Sequence, residues 1–167
     1  ENSVRASQAA WQYAVDFKHV FKTFGKDSWG LTACDGPKGY GTLYGSPPRK
    51  TEDVHFGNNG TVPPCGAIGS IVFTPKESIA ALHRYYRQEN LIGPYGLQDA
   101  YNLDLNWTAK DVIGIDKGIS LLMMENYRSG LVWDLFMKNE FVQKGIKEAG
   151  LVKKKTTVPV SSLYRAQ

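Results

Sequence analysis

Between Gly93 and Gly130 the chain weaves acids among aromatic rings. Asp99, Asp104, Asp111, Asp116 and Glu125 alternate with Tyr95, Tyr101, Trp107 and Tyr127. This combination suits a carbohydrate site. An aromatic face stacks on a pyranose ring, while carboxylates accept from hydroxyls or carry protons.

Asp116 sits in Gly-Ile-Asp-Lys-Gly, residues 114–118. Flanking glycines let a ligand approach closely. The carboxylate stands just before an apolar helix predicted over Lys117–Arg128, whose dipole favours its charged form. Such a group serves as a general base or a tight hydroxyl acceptor, or simply as an N-cap. Asp99 and Tyr101 share one side if their segment is extended, with a local Asx-turn around Asn102 as the alternative. Trp107 either stacks on a ligand or packs on a helix. Glu125 falls in the middle of the apolar helix. A buried carboxylate must be paired or functional, and Arg128, three residues on, is the candidate partner. Asp35, in Ala-Cys-Asp-Gly-Pro, is either turn chemistry or a hydroxyl acceptor. Trp29 and Tyr40 flank it as candidate stacking rings, and Trp29 fits a core equally well.

No metal or cofactor is expected. His19, His55 and His83 are scattered, and Cys34 and Cys65 lack the CxxC spacing of a metal site. The two cysteines can form a disulfide in an exported protein or stay as free, partly buried thiols.

The elements that must position these groups read mainly as helices. Ala6, Ala9, Ala10, Tyr13, Ala14 and Phe17 recur at helical spacing near the start, with no convincing N-cap before them. Residues 25–74 are rich in Gly and Pro, an uncommonly long irregular stretch of the kind that often carries function. Gly36, Gly39, Gly41 and Gly45 permit tight turns. Pro47-Pro48 reads as an exposed excursion, and Ile68–Phe73 as one short strand. Thr74-Pro75-Lys76-Glu77 is a capping box opening a helix to about Gln88. Its core face would hold Ile79, Leu82, Tyr85 and Tyr86. Tyr95–Asn106 reads as loop or short strand. Ile119, Leu121, Leu122, Met123 and Met124 make the next helix apolar nearly all round, hence buried. Helices follow over Leu131–Met137 and Glu140–Ala149, with Gly150 as a stop.

A chain of 167 residues suggests one domain. Nothing approaches the ~18 apolar residues of a membrane span, so no membrane span is expected. The net charge of +4 owes much to Lys153, Lys154 and Lys155. They sit apart from the acid–aromatic stretch and read as a solvated tail. That arrangement is wrong for a nucleic-acid groove, and no nucleic-acid partner is expected.

The segments SWGLTACDGPKGY (28–40), NGTVPP (59–64), GPYGLQDAYN (93–102), GIDKG (114–118) and MENYRSGLVW (124–133), in this order, resemble the bacterial glycoamylase-like family that includes the endo-β-1,2-glucanases. The resemblance implies an (α/α)6 barrel, with residues 1–167 as its C-terminal half and long Gly/Pro-rich loops at the cleft. It implies a glycoside hydrolase acting on β-1,2-glucan by inversion, located in the periplasm or secreted, although no signal peptide is visible at Glu1. Asp116 would be the catalytic base. Asp35, Asp99, Tyr40, Tyr101, Trp107 and Glu125 would bind substrate. The general acid would lie upstream, in an N-terminal half of the same protein that acts as partner. Lys117 stands where family members often carry Gln, and a cation there would lower the Asp116 pKa and weaken it as a base. Exo-acting glucosidases and transglycosylases of the same fold are alternatives, as is a non-catalytic sugar-binding protein.

Overall fold

The alanine-rich start forms α1 (Asn2–Asp16) in a computed structural model that describes residues 1–41 and 58–152. Ala6 and Ala9 face solvent, and the helix packs mainly through Tyr13, Ala14 and the following Phe17. No side chain caps the start of α1. Gly45, the Pro47-Pro48 excursion and Lys153–Lys155 lie outside the described residues.

The described residues up to Gly130 form one compact unit, and those from Leu131 on a second. The core of the first begins as an aromatic cluster. Tyr13 and Phe17 rings lie 4.6 Å apart, and Phe21 and Phe24 lie 5.0 Å apart. These join Trp29, Val62, Tyr85, Leu91 and Tyr101 in one buried cluster, each side chain contributing roughly 1.5–3 kcal/mol by leaving water. Polar tips inside the core are paired. Tyr85 Oη donates to the Trp29 carbonyl at 2.5 Å, and Trp29 Nε1 donates to the Glu77 carbonyl at 3.3 Å.

Among the described residues three two-stranded antiparallel hairpins punctuate the helices. β1 (Cys34–Gly36) pairs with β2 (Gly39–Gly41), with Asp35 opposite Tyr40. β3 (Ile92–Gly93) pairs with β4 (Gly96–Leu97), placing Pro94-Tyr95 at the tip. β5 (Tyr101–Asn102) pairs with β6 (Trp107–Thr108). Val62 and Tyr101 exchange two backbone bonds of 2.9 and 3.1 Å, tying this last hairpin to the segment before α2 (Pro64–Ile68).

α2 packs on both α3 (Pro75–Tyr85) and α4 (Gly114–Arg128). The short strand expected over Ile68–Phe73 is instead the end of α2 and a run of turns. Ser70, Ile71 and Phe73 donate three residues back, to Ala67, Ile68 and Ser70, so the backbone is satisfied locally and needs no ladder. The α3 start is placed correctly, with Pro75 in its first turn, but the capping box does not form. Thr74 Oγ1 turns back to the Ser70 carbonyl at 3.3 Å and leaves the helix N–H groups alone. The helix ends at Tyr85 and tightens into a final turn. Tyr86, expected in the core, is 63% exposed.

α4 starts three residues earlier than the periodicity predicts, so Asp116 lies inside its first turn. The expectation that this helix is buried is not met in this chain. Met123 and Asn126 are buried, whereas Ile119, Leu121 and Leu122 are exposed. The second unit holds α5 (Leu131–Phe136) and α6 (Glu140–Glu148), as the sequence predicts. Asn139 Oδ1 caps α6 by accepting from Phe141 and Val142, and Gly150 ends it at φ +66°. The architecture is mainly helical. Among the described residues no helix is long and apolar enough to cross a membrane.

Candidate active site

A cavity of about 330 Å³ opens between α2, α3, α4 and the β3–β4 hairpin. Asp116 and Lys117 reach it from the first turn of α4, Cys65 from α2, and Gln98 and Asp99 from the strand exit after β4. Tyr86, just past α3, and Tyr95, at the hairpin tip, present exposed rings along it.

Asp99 is only 4% exposed. Its own N–H donates to the Asp111 carbonyl at 3.2 Å, and its Oδ2 accepts the Asp35 N–H at 2.6 Å. Its Oδ1 is buried without a hydrogen-bond partner, and so are Asp116 Oδ2 and Gln98 Oε1. Three buried acceptor oxygens on residues that line one cavity are therefore unsatisfied, a state that costs roughly 1–3 kcal/mol per group.

Burial pushes the Asp99 carboxyl up to about 7, helped by the neighbouring Asp116 carboxyl and opposed by the Asp35 N–H. Burial also raises Asp35, with the charges of Asp111 and Asp116 adding to it. Lys117 is lowered by burial, against the pull of Asp99 and Asp116. Its Nζ donates to the Leu97 carbonyl, which ties α4 to the hairpin that carries Tyr95. Cys34 and Cys65 are buried free thiols. Burial raises both, and neighbouring carboxylates raise them further, so neither is a thiolate nucleophile. Among the described residues no group of His, Cys, Asp and Glu is arranged to hold a metal.

The structure gathers some of the expected site residues and disperses others. Asp99 and Asp116 share the cavity. Asp35 joins them through its backbone bond to Asp99. Tyr40, 61% exposed, stands opposite Asp35 across the hairpin. Its phenol is raised by desolvation and then by Asp116 and Asp99, which places it within their electrostatic reach. Tyr101 is fully buried, with its ring 6.0 Å from Tyr85 and its hydroxyl 2.5 Å from Ser28 Oγ. It is a core residue with no face to offer a sugar. Trp29 is likewise core. Trp107 is half-buried on β6 and does not line the cavity. Glu125 does not line it either. Arg128 grips its carboxylate at 2.8 and 2.9 Å, and Ser129 Oγ donates to it at 2.5 Å, lowering its pKa. Asp104 supports the fold, accepting from the Lys22 N–H at 3.1 Å.

Tyr86, Tyr95, Gln98 and Cys65 line the cavity but were not singled out as site residues. Tyr95 carried a signal, since a Pro-Tyr tip between glycines lifts a ring away from the body. Gly93 carried another. A Cβ there would run into the Gln98 amide, so only glycine leaves that side chain its place.

Residues 1–140 match the Glycoamylase family model, "Putative glucoamylase". The chain belongs to this family. Within it, the chain is 36% identical over 155 residues to the exo β-1,2-glucooligosaccharide sophorohydrolase (non-reducing end) of Parabacteroides distasonis. That match covers 92% of the chain and 20% of the relative. The endo-β-1,2-glucanase of Chitinophaga pinensis, solved with sophorotriose and glucose, superposes with a TM-score of 0.78 at 34% identity. It covers 88% of this chain and 34% of that one. The β-1,2-glucanase structure from P. distasonis gives a TM-score of 0.75 at 36% identity, covering 86% of this chain and 20% of that one. The chain thus spans about a fifth to a third of the family members it matches.

Proposed function

We propose that the full-length protein is a glycoside hydrolase acting on β-1,2-linked glucan, and that this chain is the C-terminal part of its (α/α)6 barrel. The observation that carries the reading is the pair of carboxyl residues Asp99 and Asp116, with Gln98, on the wall of a cavity rimmed by the exposed rings of Tyr86 and Tyr95. Hydroxyl donors and a ring face are what such a wall accepts. The names of the β-1,2-glucan-active relatives support the linkage.

In this reading Asp116 is the general base of an inverting reaction. It takes a proton from water as the water oxygen attacks the anomeric carbon, while an acid on the opposite face protonates the departing oxygen. That acid comes from the N-terminal half of the protein, which closes the barrel over α4. Asp35 and Tyr40 bind the substrate beside the base, with Asp99 behind them on the cavity wall. Because the substrate is a polymer, the protein works in the periplasm or outside the cell.

The test is product analysis. Linear β-1,2-glucan given to the full-length protein should release sophoro-oligosaccharides whose first-formed anomer is α, while β-1,3- and β-1,4-glucans stay intact. A mixture of sizes marks endo cleavage, and sophorose alone marks the exo action named for the P. distasonis relative. Release of a β anomer would end the inverting reading. Binding without any turnover would replace the hydrolase with a sugar-binding protein.

A further inference from the structure

We propose that Asp99 and Asp116 share one proton, with Asp99 the positioning residue whose protonated carboxyl aims the ionised Asp116. The proposal deepens the reading of Asp116 as the base and rests on it for its consequence in turnover.

The geometry comes first. Asp99 and Asp116 line the same cavity, and Asp99 Oδ1 and Asp116 Oδ2 are both buried with no partner. Two ionised carboxylates are acceptors only and cannot satisfy each other. A single proton on Asp99 Oδ1 changes that, because the O–H then donates to Asp116. The other oxygen of Asp99 is already fixed by the Asp35 N–H at 2.6 Å, which sets the rotation of the carboxyl. Asp99 is thus anchored at one end and turned toward Asp116 at the other.

The surrounding charges favour the proton. Asp35 and Cys34 face Asp99 from β1, Tyr40 from β2, Cys65 from α2, and Asp116 and Lys117 from α4. Asp35 and Asp116 oppose a second negative charge. Both thiols are neutral. Lys117 is the one cation in this set, and its Nζ is committed to the Leu97 carbonyl. Burial, the largest influence on Asp99, works in the same direction.

Activity should then require the proton. As pH rises through about 7, Asp99 ionises, the bond to Asp116 is lost, and the carboxylates repel. A base displaced by a fraction of an ångström loses much of its rate.

The experiment uses full-length protein labelled with ¹³C at the aspartate carboxyl carbons, together with Asp99→Asn and Asp116→Asn. Asparagine at 99 keeps an oxygen for the Asp35 N–H and offers a permanent N–H toward Asp116. Wild-type protein should show one carboxyl titrating near neutrality. The signal should vanish in Asp99→Asn and move down by at least one pH unit in Asp116→Asn. Persistence in Asp99→Asn, or no shift in Asp116→Asn, would overturn the shared proton. No substrate enters this measurement, so it stands or falls apart from the glycosidase reading. The kinetic arm measures kcat against pH on β-1,2-glucan. The alkaline limb should move up by at least one unit in Asp99→Asn, with KM changed less than kcat, while Asp99→Ala loses kcat across the range. An alkaline limb identical to wild type in Asp99→Asn would remove Asp99 from positioning the base.

Discussion

The backbone N–H of Asp35 donates to Asp99 Oδ2 at 2.6 Å across 64 residues of chain. Through this bond the β1–β2 hairpin, which also carries exposed Tyr40, is held against the wall from which Asp116 projects. A loop of glycines and a prolyl turn is thereby registered against the first turn of α4.

Asp116→Asn in the full-length protein should cut kcat by about 10²–10⁴. The amide keeps the shape, so KM should change little. Steady-state rates on β-1,2-glucan are the check, and a near wild-type kcat would remove Asp116 as the base.

Stability should fall as pH rises from about 4 to about 7. The Asp99 carboxyl is raised to about 7 in the folded state, against about 3.9 in an unfolded chain. The folded state therefore binds the extra proton in this window, and stability declines as pH climbs through it. The loss is at most roughly 4 kcal/mol, since each unit of difference corresponds to about 1.4 kcal/mol. Urea midpoints at pH 5 and pH 7.5 measure it. In Asp99→Asn the two midpoints should move together, and an unchanged gap would assign the effect to another group.

Tyr95→Ala should raise KM about twofold to tenfold, the equivalent of about 0.5–1.5 kcal/mol for a lost ring contact, and leave kcat and the melting temperature nearly intact. Tyr101→Phe should do the reverse. It removes the hydroxyl bonded to Ser28, lowering stability by about 1 kcal/mol without touching KM. A rise in KM for Tyr101→Phe would return that ring to the site.

Gly30→Ala should destabilise the fold by about 1–3 kcal/mol. Gly30 sits at φ +141°, and an added Cβ would lie 2.7 Å from the Pro63 carbonyl and close to α2. Gly145→Ala, with nothing within 4 Å of its Cβ, should instead stabilise α6 by up to about 1 kcal/mol. Thermal unfolding of both variants checks the contrast.

Local chemistry was legible in the sequence. Pro75 after Thr74 marked the start of α3. Gly150 marked the end of α6, and the acid–aromatic weave marked the segment that lines the cavity. Spacing alone did not distinguish Tyr101 from Tyr95, because both are tyrosines in irregular chain between glycines and acids. Tertiary structure decided that Tyr101 bridges to Val62 and enters the core, while Tyr95 rides a two-residue tip with 78% of its surface exposed. The periodicity of α4 registered its apolar side chains but not what covers them, since burial depends on neighbours far away in the chain. Glu125 read as a buried acid for the same reason, and Arg128 and Ser129 hold it away from the cavity, half-buried. The sequence by itself determined the longer helices, the stop at Gly150 and the family. Only the tertiary structure decided which acids meet, because Asp35, Asp99 and Asp116 come from separate segments, and a contact between distant segments is set by packing rather than by local propensity.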